Sequence, residues 1–277
     1  MFVPLTGYDN MPFCDRTRAC PGFLDRIRAC PGFLDSPRWI PRDAGDPDIL
    51  MLMRKLDAAP HPLLLVGQIE AQVSHMESSP ALIELLTASW TAPAPFDQGS
   101  DVLGEIHQVI RRLLRNSGYK PSGRGKPASE YLVSSASKFG SVRSISALVD
   151  VNNAVSLHTG LPMSLFDAGR LGDDLLVRPG TTGESYVFNP SGQEIKLDGL
   201  ITLYHLADGA WCPAGNAVKD SMGTKVSEGT GRVIGIVYAS TELAPGYLEE
   251  TLRWYGALLT EFCGATELES RIVEAPR

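Results

Sequence analysis

The stretch S-I-S-A-L-V-D-V-N-N-A-V-S-L-H-T-G-L-P-M-S-L-F-D, residues 144–167, decides the reading of the chain. Ile145, Leu148, Val149, Val151, Ala154, Val155 and Leu157 recur three and four apart, which predicts a helix with an apolar face. Asp150, Asn152, Asn153, Ser156 and His158 interrupt that pattern with polar groups. Gly160 and Pro162 end the helix, because glycine accepts the left-handed C-terminal conformation and proline cannot donate the next helical hydrogen bond. Residues 163–167 then read as a short strand closing on a carboxylate. Amides and carboxylates inside an apolar pattern must be hydrogen-bonded, either to the protein's own groups or to a ligand.

Downstream the periodicity shortens. Residues 174–178, 184–188, 194–197, 201–206 and 232–239 read as strands divided by Gly, Pro, Asn and Asp, and residues 244–262 as an amphipathic helix. Upstream, residues 128–139 open a helix after Pro127, and residues 101–116 carry an apolar stripe from Val102 to Leu114. Residues 79–90 read as a helix with Ser79 as N-cap and Pro80 at its first position. Residues 62–73 predict a buried strand and 48–56 a short helix. Helices and strands interleave without strict βαβ alternation, so the expected class is α+β, a mixed sheet core flanked by helices. The first 45 residues look different, with six prolines and a tandem duplication, R-T-R-A-C-P-G-F-L-D (16–25) followed by R-I-R-A-C-P-G-F-L-D (26–35). Two near-identical ten-residue copies match no solenoid period. The division expected is an irregular extension over 1–45 and one domain over 46–277.

Bulk properties narrow the function. The chain has 277 residues, enough for a sizeable core without disulfides, and a formal net charge of −7, which argues against non-specific coating of nucleic acid. Five cysteines with no C-x-x-C pair support neither a zinc ribbon nor a disulfide framework. The N-terminus lacks a signal-peptide pattern and no apolar run could span a bilayer, so a cytoplasmic protein with no membrane partner is expected.

One basic tract stands out in this acidic chain: Arg111, Arg112, Arg115, Lys120, Arg124 and Lys126, with no acid from His107 through Ser129. Its second half, G-Y-K-P-S-G-R-G-K-P, sets exposed amides beside cations, a combination suited to phosphate or carboxylate; it is also the composition of a solvated loop. The spacing of a P-loop is absent. The five histidines have no metal-ligand spacing and no G-x-G-x-x-G opens a helix, so no metal and no cofactor are expected. Ser135 and Lys138 match S-x-x-K without its companion motifs. What remains is a polar set around turns: Asn152, Asn153, Ser164, Asp167, Glu184, Lys219, Asp220, Ser221 and Thr224. Such groups can select an amino-acid-like ligand or hold water against an ester carbonyl, and each can equally serve as a cap or buried scaffold bond.

Four motifs in order, Y-K-P-S-G-R-G-K-P-A-S-E-Y-L (119–132), L-V-D-V-N-N-A-V-S-L-H-T-G-L-P-M-S-L-F-D (148–167), V-R-P-G-T-T-G-E-S-Y (177–186) and V-K-D-S-M-G-T-K-V (218–226), resemble the B3/B4 domain. This is the tRNA-editing domain of the phenylalanyl-tRNA synthetase beta subunit, with closer similarity to its free-standing relatives. The resemblance spans residues 63–242, and the length falls short of a complete synthetase. It implies a single B3/B4-like domain whose cavity hydrolyses a wrongly attached aminoacyl ester with water and no covalent intermediate. By motif position it puts Asn153 on the cavity wall. Ser164 stands where the synthetase pattern has histidine, and Asp220 lies in the region of a synthetase glutamate.

Three functions follow as expectations. The first is a trans-acting aminoacyl-tRNA deacylase, with Asn153, Ser164, Glu184 and Asp220 in the catalytic pocket. Lys120, Arg124, Lys126, Ser221 and Thr224 would bind the substrate, a tRNA or aminoacyl-tRNA. The second is a non-catalytic tRNA- or RNA-binding module. The third is an enzyme or sensor for a free amino acid on the same scaffold, with Arg124 or Lys126 on its carboxylate.

Overall fold

The computed structural model describes residues 53–74, 77–97 and 99–277. The duplicated segment, Cys14, Cys20, Cys30 and the proposed extension over 1–45 lie outside the described residues.

Residues 144–167 fold as their periodicity predicts, into helix α4 (Ala147–Thr159) followed by strand β3 (Met163–Asp167). Eleven of the thirteen residues of α4 are buried, so it runs through the core rather than along its surface. Gly160 closes it at φ 71°, donating its N–H to the Ser156 carbonyl, and a Cβ there would press on Ile106 and Leu103. The interrupting polar groups find partners inside the protein. Asp150 accepts hydrogen bonds from the Ile145 N–H and the hydroxyls of Ser144 and Ser78. Ser156 donates to the Leu161 carbonyl, and His158 Nε2 donates to the Leu85 carbonyl. Asn152 Oδ1 accepts from the Tyr255 hydroxyl at 3.1 Å. Each satisfied group avoids a desolvation penalty of about 1–3 kcal/mol.

The strands form two four-stranded sheets, and β3 belongs to the second. The first has the order β1 (Lys55–Ala58), β4 (Asp174–Pro179), β7 (Ile201–Ala207), β8 (Ala210–Asn216), parallel at β1–β4 and antiparallel elsewhere. The second has the order β10 (Thr266–Glu274), β2 (Leu64–Gln72), β9 (Arg232–Ser240), β3, all antiparallel. A hairpin of β5 (Ser185–Val187) and β6 (Glu194–Lys196) projects beside the first sheet's connections. Helix α5 (Tyr247–Cys263) packs on α4 and β2, burying Leu248, Leu252, Tyr255, Leu258 and Leu259. Each such apolar side chain contributes about 1.5–3 kcal/mol by leaving water. Helices α2 (Gly99–Asn116) and α3 (Ala128–Phe139) and the short α1 (Pro80–Glu84) complete an α+β fold.

Two expectations change, and two strands are added. Residues 55 and 56 of the expected helix over 48–56 belong to β1, a strand held by parallel pairing to β4, and residues 48–52 lie outside the described residues. The helix expected over 79–90 starts with Ser79 Oγ accepting from the Leu82 N–H but stops at Glu84, because Thr87 bridges to Ser141 and Ala88 donates to the Gly140 carbonyl. Strands β8 and β10 lack a clear signal in the sequence. Pro213 and a register shift disguise the first, and a register shift between Thr266 and Glu269 breaks the alternation of the second.

A candidate functional cleft beside helix α4

Three segments converge where α4 meets β3. The first is the turn Gly123–Gly125, which carries Arg124. It is clasped from both sides: Tyr119 donates its hydroxyl to the Gly125 carbonyl and Tyr131 to the Gly123 carbonyl, each at 3.1 Å. A Cβ on Gly125 would come within 2.2 Å of the Tyr119 hydroxyl, so a larger residue there would displace that hydroxyl from the turn. The second is α3, locked to α2 by a two-pronged ion pair in which Arg111 Nε and Nη2 meet Glu130 Oε1 and Oε2 at 2.6 and 2.5 Å. The third is the segment after β8. Asn216 Oδ1 accepts from the N–H groups of Val218 and Lys219 at 2.8 and 2.9 Å, and the Tyr186 hydroxyl donates to the Lys219 carbonyl at 2.5 Å.

Between them lies a cleft of about 360 Å³. Ala128, Leu132, Met163 and Val218 form its apolar part; Arg124, Tyr131, Asn152, Asn153, Ser156 and Lys219 supply polar atoms. Asn152 and Ser156 spend hydrogen bonds on Tyr255 and Leu161, whereas the half-buried Asn153 has no internal partner among the described residues. Lys219 lies over the Phe188 ring, its Nζ 3.7 Å from the centroid. Burial, and after it the neighbouring Arg124 charge, lowers the Lys219 ammonium below its ordinary range. The lining contains no carboxylate and no imidazole.

The residues singled out in the sequence distribute unevenly. Asn153 and Arg124 line the cleft; Lys120 and Lys126 lie outside its lining, one exposed and the other half-buried. Ser164 is fully buried on the sheet-facing side of β3, 3.2 Å from the Tyr238 hydroxyl and 3.3 Å from the Asn216 carbonyl. Asp220 sits beside it: Oδ2 accepts from the Leu165 N–H at 3.4 Å, while the buried Oδ1 has no partner, and burial pushes the carboxyl up to about 7. Glu184 is paired with Arg178 at 2.6 Å and also accepts from the Thr181 N–H and the Tyr204 hydroxyl. The Arg178 hydrogen bond, the largest cause, holds it down to about 2. Ser221 Oγ accepts from the Gly223 N–H, and Thr224 Oγ1 donates to the Ala214 carbonyl, so both shape the turn after β8. Thus Ser164 and Asp220 adjoin one another, and Asn153 and Arg124 share the cleft. The sequence placed Lys219 only among polar turn residues; its motif, V-K-D-S-M-G-T-K-V, was the available signal.

Among the described residues no group of three or more His, Cys, Asp or Glu could hold a metal ion, and no helix is long and apolar enough to cross a membrane.

Comparison with known proteins places this site inside one family stretch. The model of the B3/4 domain matches residues 124–243. The phenylalanine-tRNA ligase beta subunit of Hahella chejuensis is 40% identical over 72 residues, 26% of this chain and 9% of that protein. The Bordetella pertussis beta subunit is 32% identical over 116 residues, 42% of this chain and 12% of that protein. The chain thus spans about a tenth of the length of these curated relatives. A solved N-terminal fragment of the phenylalanyl-tRNA synthetase beta subunit from Pyrococcus horikoshii aligns at 10% identity with a TM-score of 0.39, over 79% of this chain and 51% of that one. Residues 124–243, which carry Arg124, Asn153, Met163 and Lys219, match the B3/4 domain, and parts of the chain are similar to phenylalanine-tRNA ligase beta subunits.

Proposed function

We propose that this protein binds tRNA and admits the aminoacyl group of a mischarged aminoacyl-tRNA to the cleft, where water hydrolyses the ester. The observation that carries this reading is the Asn153 amide, left without an internal partner beside an apolar recess in the B3/4 stretch. At about 360 Å³ the cleft lies near the lower end of the ~300–1,000 Å³ range of ligand pockets, suited to an amino-acid side chain rather than a whole nucleotide. Attack of water on the ester carbonyl develops charge on the carbonyl oxygen. The Asn153 amide N–H is the donor able to meet it there. The products are the free amino acid and the tRNA with its hydroxyl restored. Ser164 and Asp220 act from behind, holding β3 against the segment that follows β8. Glu184 fixes the turn at 181–184, Ser221 and Thr224 fix the turn that follows Asp220, and Lys120 and Lys126 meet the acceptor end. The protein works in the cytoplasm, where tRNA is charged.

The lack of an acid or histidine in the lining favours a second reading, a B3/4 module that binds tRNA without hydrolysing it. Incubation with a panel of mischarged tRNAs separates the two. The hydrolase reading expects deacylation of at least one substrate, slowed about 100–1,000-fold by Asn153→Ala, the loss usual for one oxyanion-stabilising donor. Background hydrolysis with every substrate, together with salt-dependent tRNA binding that survives Asn153→Ala, would replace it with the binding module.

A further inference from the structure

The basic tract is not uniformly available. Arg111 is spent on Glu130 and Arg112 on Glu242. Arg124 and Lys219 come from segments 95 residues apart in the chain, line the same cleft, and have no ion-pair partner among the described residues. The chain offers 32 acidic side chains against 25 basic ones, so the pair is not left bare by a shortage of acids.

The backbone beneath both cations is fixed, under the exposed Arg124 and the half-buried Lys219. The two tyrosine hydroxyls on the Gly123 and Gly125 carbonyls fix the backbone under Arg124. Asn216 and Tyr186 fix the backbone of Lys219, and the Phe188 ring steers its side chain. Two positive groups on one cleft repel each other; burial first, and that repulsion after it, lowers the Lys219 ammonium. Such an arrangement is relieved by a negative ligand. A guanidinium supplies parallel N–H donors to two oxygens, and an ammonium supplies a point charge to a third.

We propose that Arg124 and Lys219 form a seat for one oxyanion, a phosphate or a carboxylate, at the edge of the cleft. The apolar recess and the Asn153 amide take the neighbouring part of the same ligand. This deepens the aminoacyl reading of the cleft and rests on it, but it does not require hydrolysis. If the ligand is a tRNA end, the oxyanion is an internucleotide phosphate. If it is a free amino acid, the oxyanion is its carboxylate.

The test is calorimetric titration of the full chain, as wild type, Arg124→Ala, Lys219→Ala and Lys219→Arg, with inorganic phosphate, L-phenylalanine, L-phenylalaninamide and uncharged tRNA. Circular dichroism checks the fold of each variant, and Lys219→Arg keeps the charge should the alanine variant fail to fold. The seat predicts that each alanine substitution weakens anion binding about tenfold or more and that Lys219→Arg largely restores it. Loss confined to phosphate and tRNA assigns the phosphate source. Binding of phenylalanine but not its amide, lost in the alanine variants, assigns the carboxylate source. No measurable binding to wild type, or equal binding by wild type and both alanine variants, overturns the seat. Mischarged-tRNA deacylation on the same preparations tells its failure from that of the hydrolase reading. Hydrolysis with unaltered anion binding sinks the seat alone, and anion binding lost in the variants without any hydrolysis sinks the hydrolase alone.

Discussion

Asp220 and Glu184 are the two carboxylates whose environments move them furthest, and they move in opposite directions. Burial lifts Asp220 from 3.8 to about 7. Between those values the folded protein holds a proton that the unfolded chain has released. Its contribution is fully present below pH ~4 and is lost as pH rises towards ~7, with a slope of at most ~1.4 kcal/mol per pH unit. Denaturant titrations from pH 4 to 8 should show that fall, and Asp220→Asn should flatten it; a wild-type curve without the fall would contradict the placement. Glu184, lowered to about 2 by Arg178, contributes above pH ~4.5 and loses that contribution only as pH falls towards 2. Asn153 differs from both: half-buried and unpartnered, it should cost less than ~0.5 kcal/mol of stability when changed to alanine, while ligand binding falls. Whether Ser164 faced the cleft or the sheet could not be read locally. That orientation follows from the register of β3 on β9, where Ser164 stands opposite Ile236, and a one-residue slip would turn it to the other side.

Helix α3 does two jobs at adjacent positions. Glu130 anchors it to α2, and Tyr131 reaches back to hold the turn that carries Arg124. Glu130→Gln leaves the half-buried Arg111 guanidinium without its charge partner and should cost ~2 kcal/mol, somewhat less than the 3–5 typical of a fully buried pair. A double-mutant cycle with Arg111→Ala, read by chemical denaturation, would measure the coupling; additive losses would show that the pair stabilises nothing. The boundaries of α3 and of the α4–β3 unit could be read from the sequence, because local signals agree there: a strong period, Pro127 before one helix, and glycine at the end of both. β1, β8 and β10 could not, since their strand character comes from partners distant in sequence, and proline or register shifts mask the alternation.

For the whole molecule, net charge and local charge give different forecasts. An overall −7 predicts weak non-specific attraction to RNA, whereas Arg115, Lys120, Arg124, Lys126 and Lys219 remain outside the ion pairs of the described residues. If these five make all the phosphate contacts, the plot of log affinity for tRNA against log salt should be no steeper than about −4 to −5. A steeper slope in filter-binding assays would mean that cations elsewhere on the chain take part. The basic tract was visible in the sequence as a run of six residues; which of them were already committed was not, because Glu242, the partner of Arg112, lies 130 residues away. The two-tyrosine clasp on the Gly123–Gly125 turn bears on how such binding would be driven. With its backbone already fixed, Arg124 has only its own side-chain rotations to surrender, at most ~2 kcal/mol of conformational entropy. Phenylalanine in place of Tyr119 or Tyr131 would free the turn, so the same contacts would then have to order a backbone as well, and the change would register in the entropy of association more than in its enthalpy.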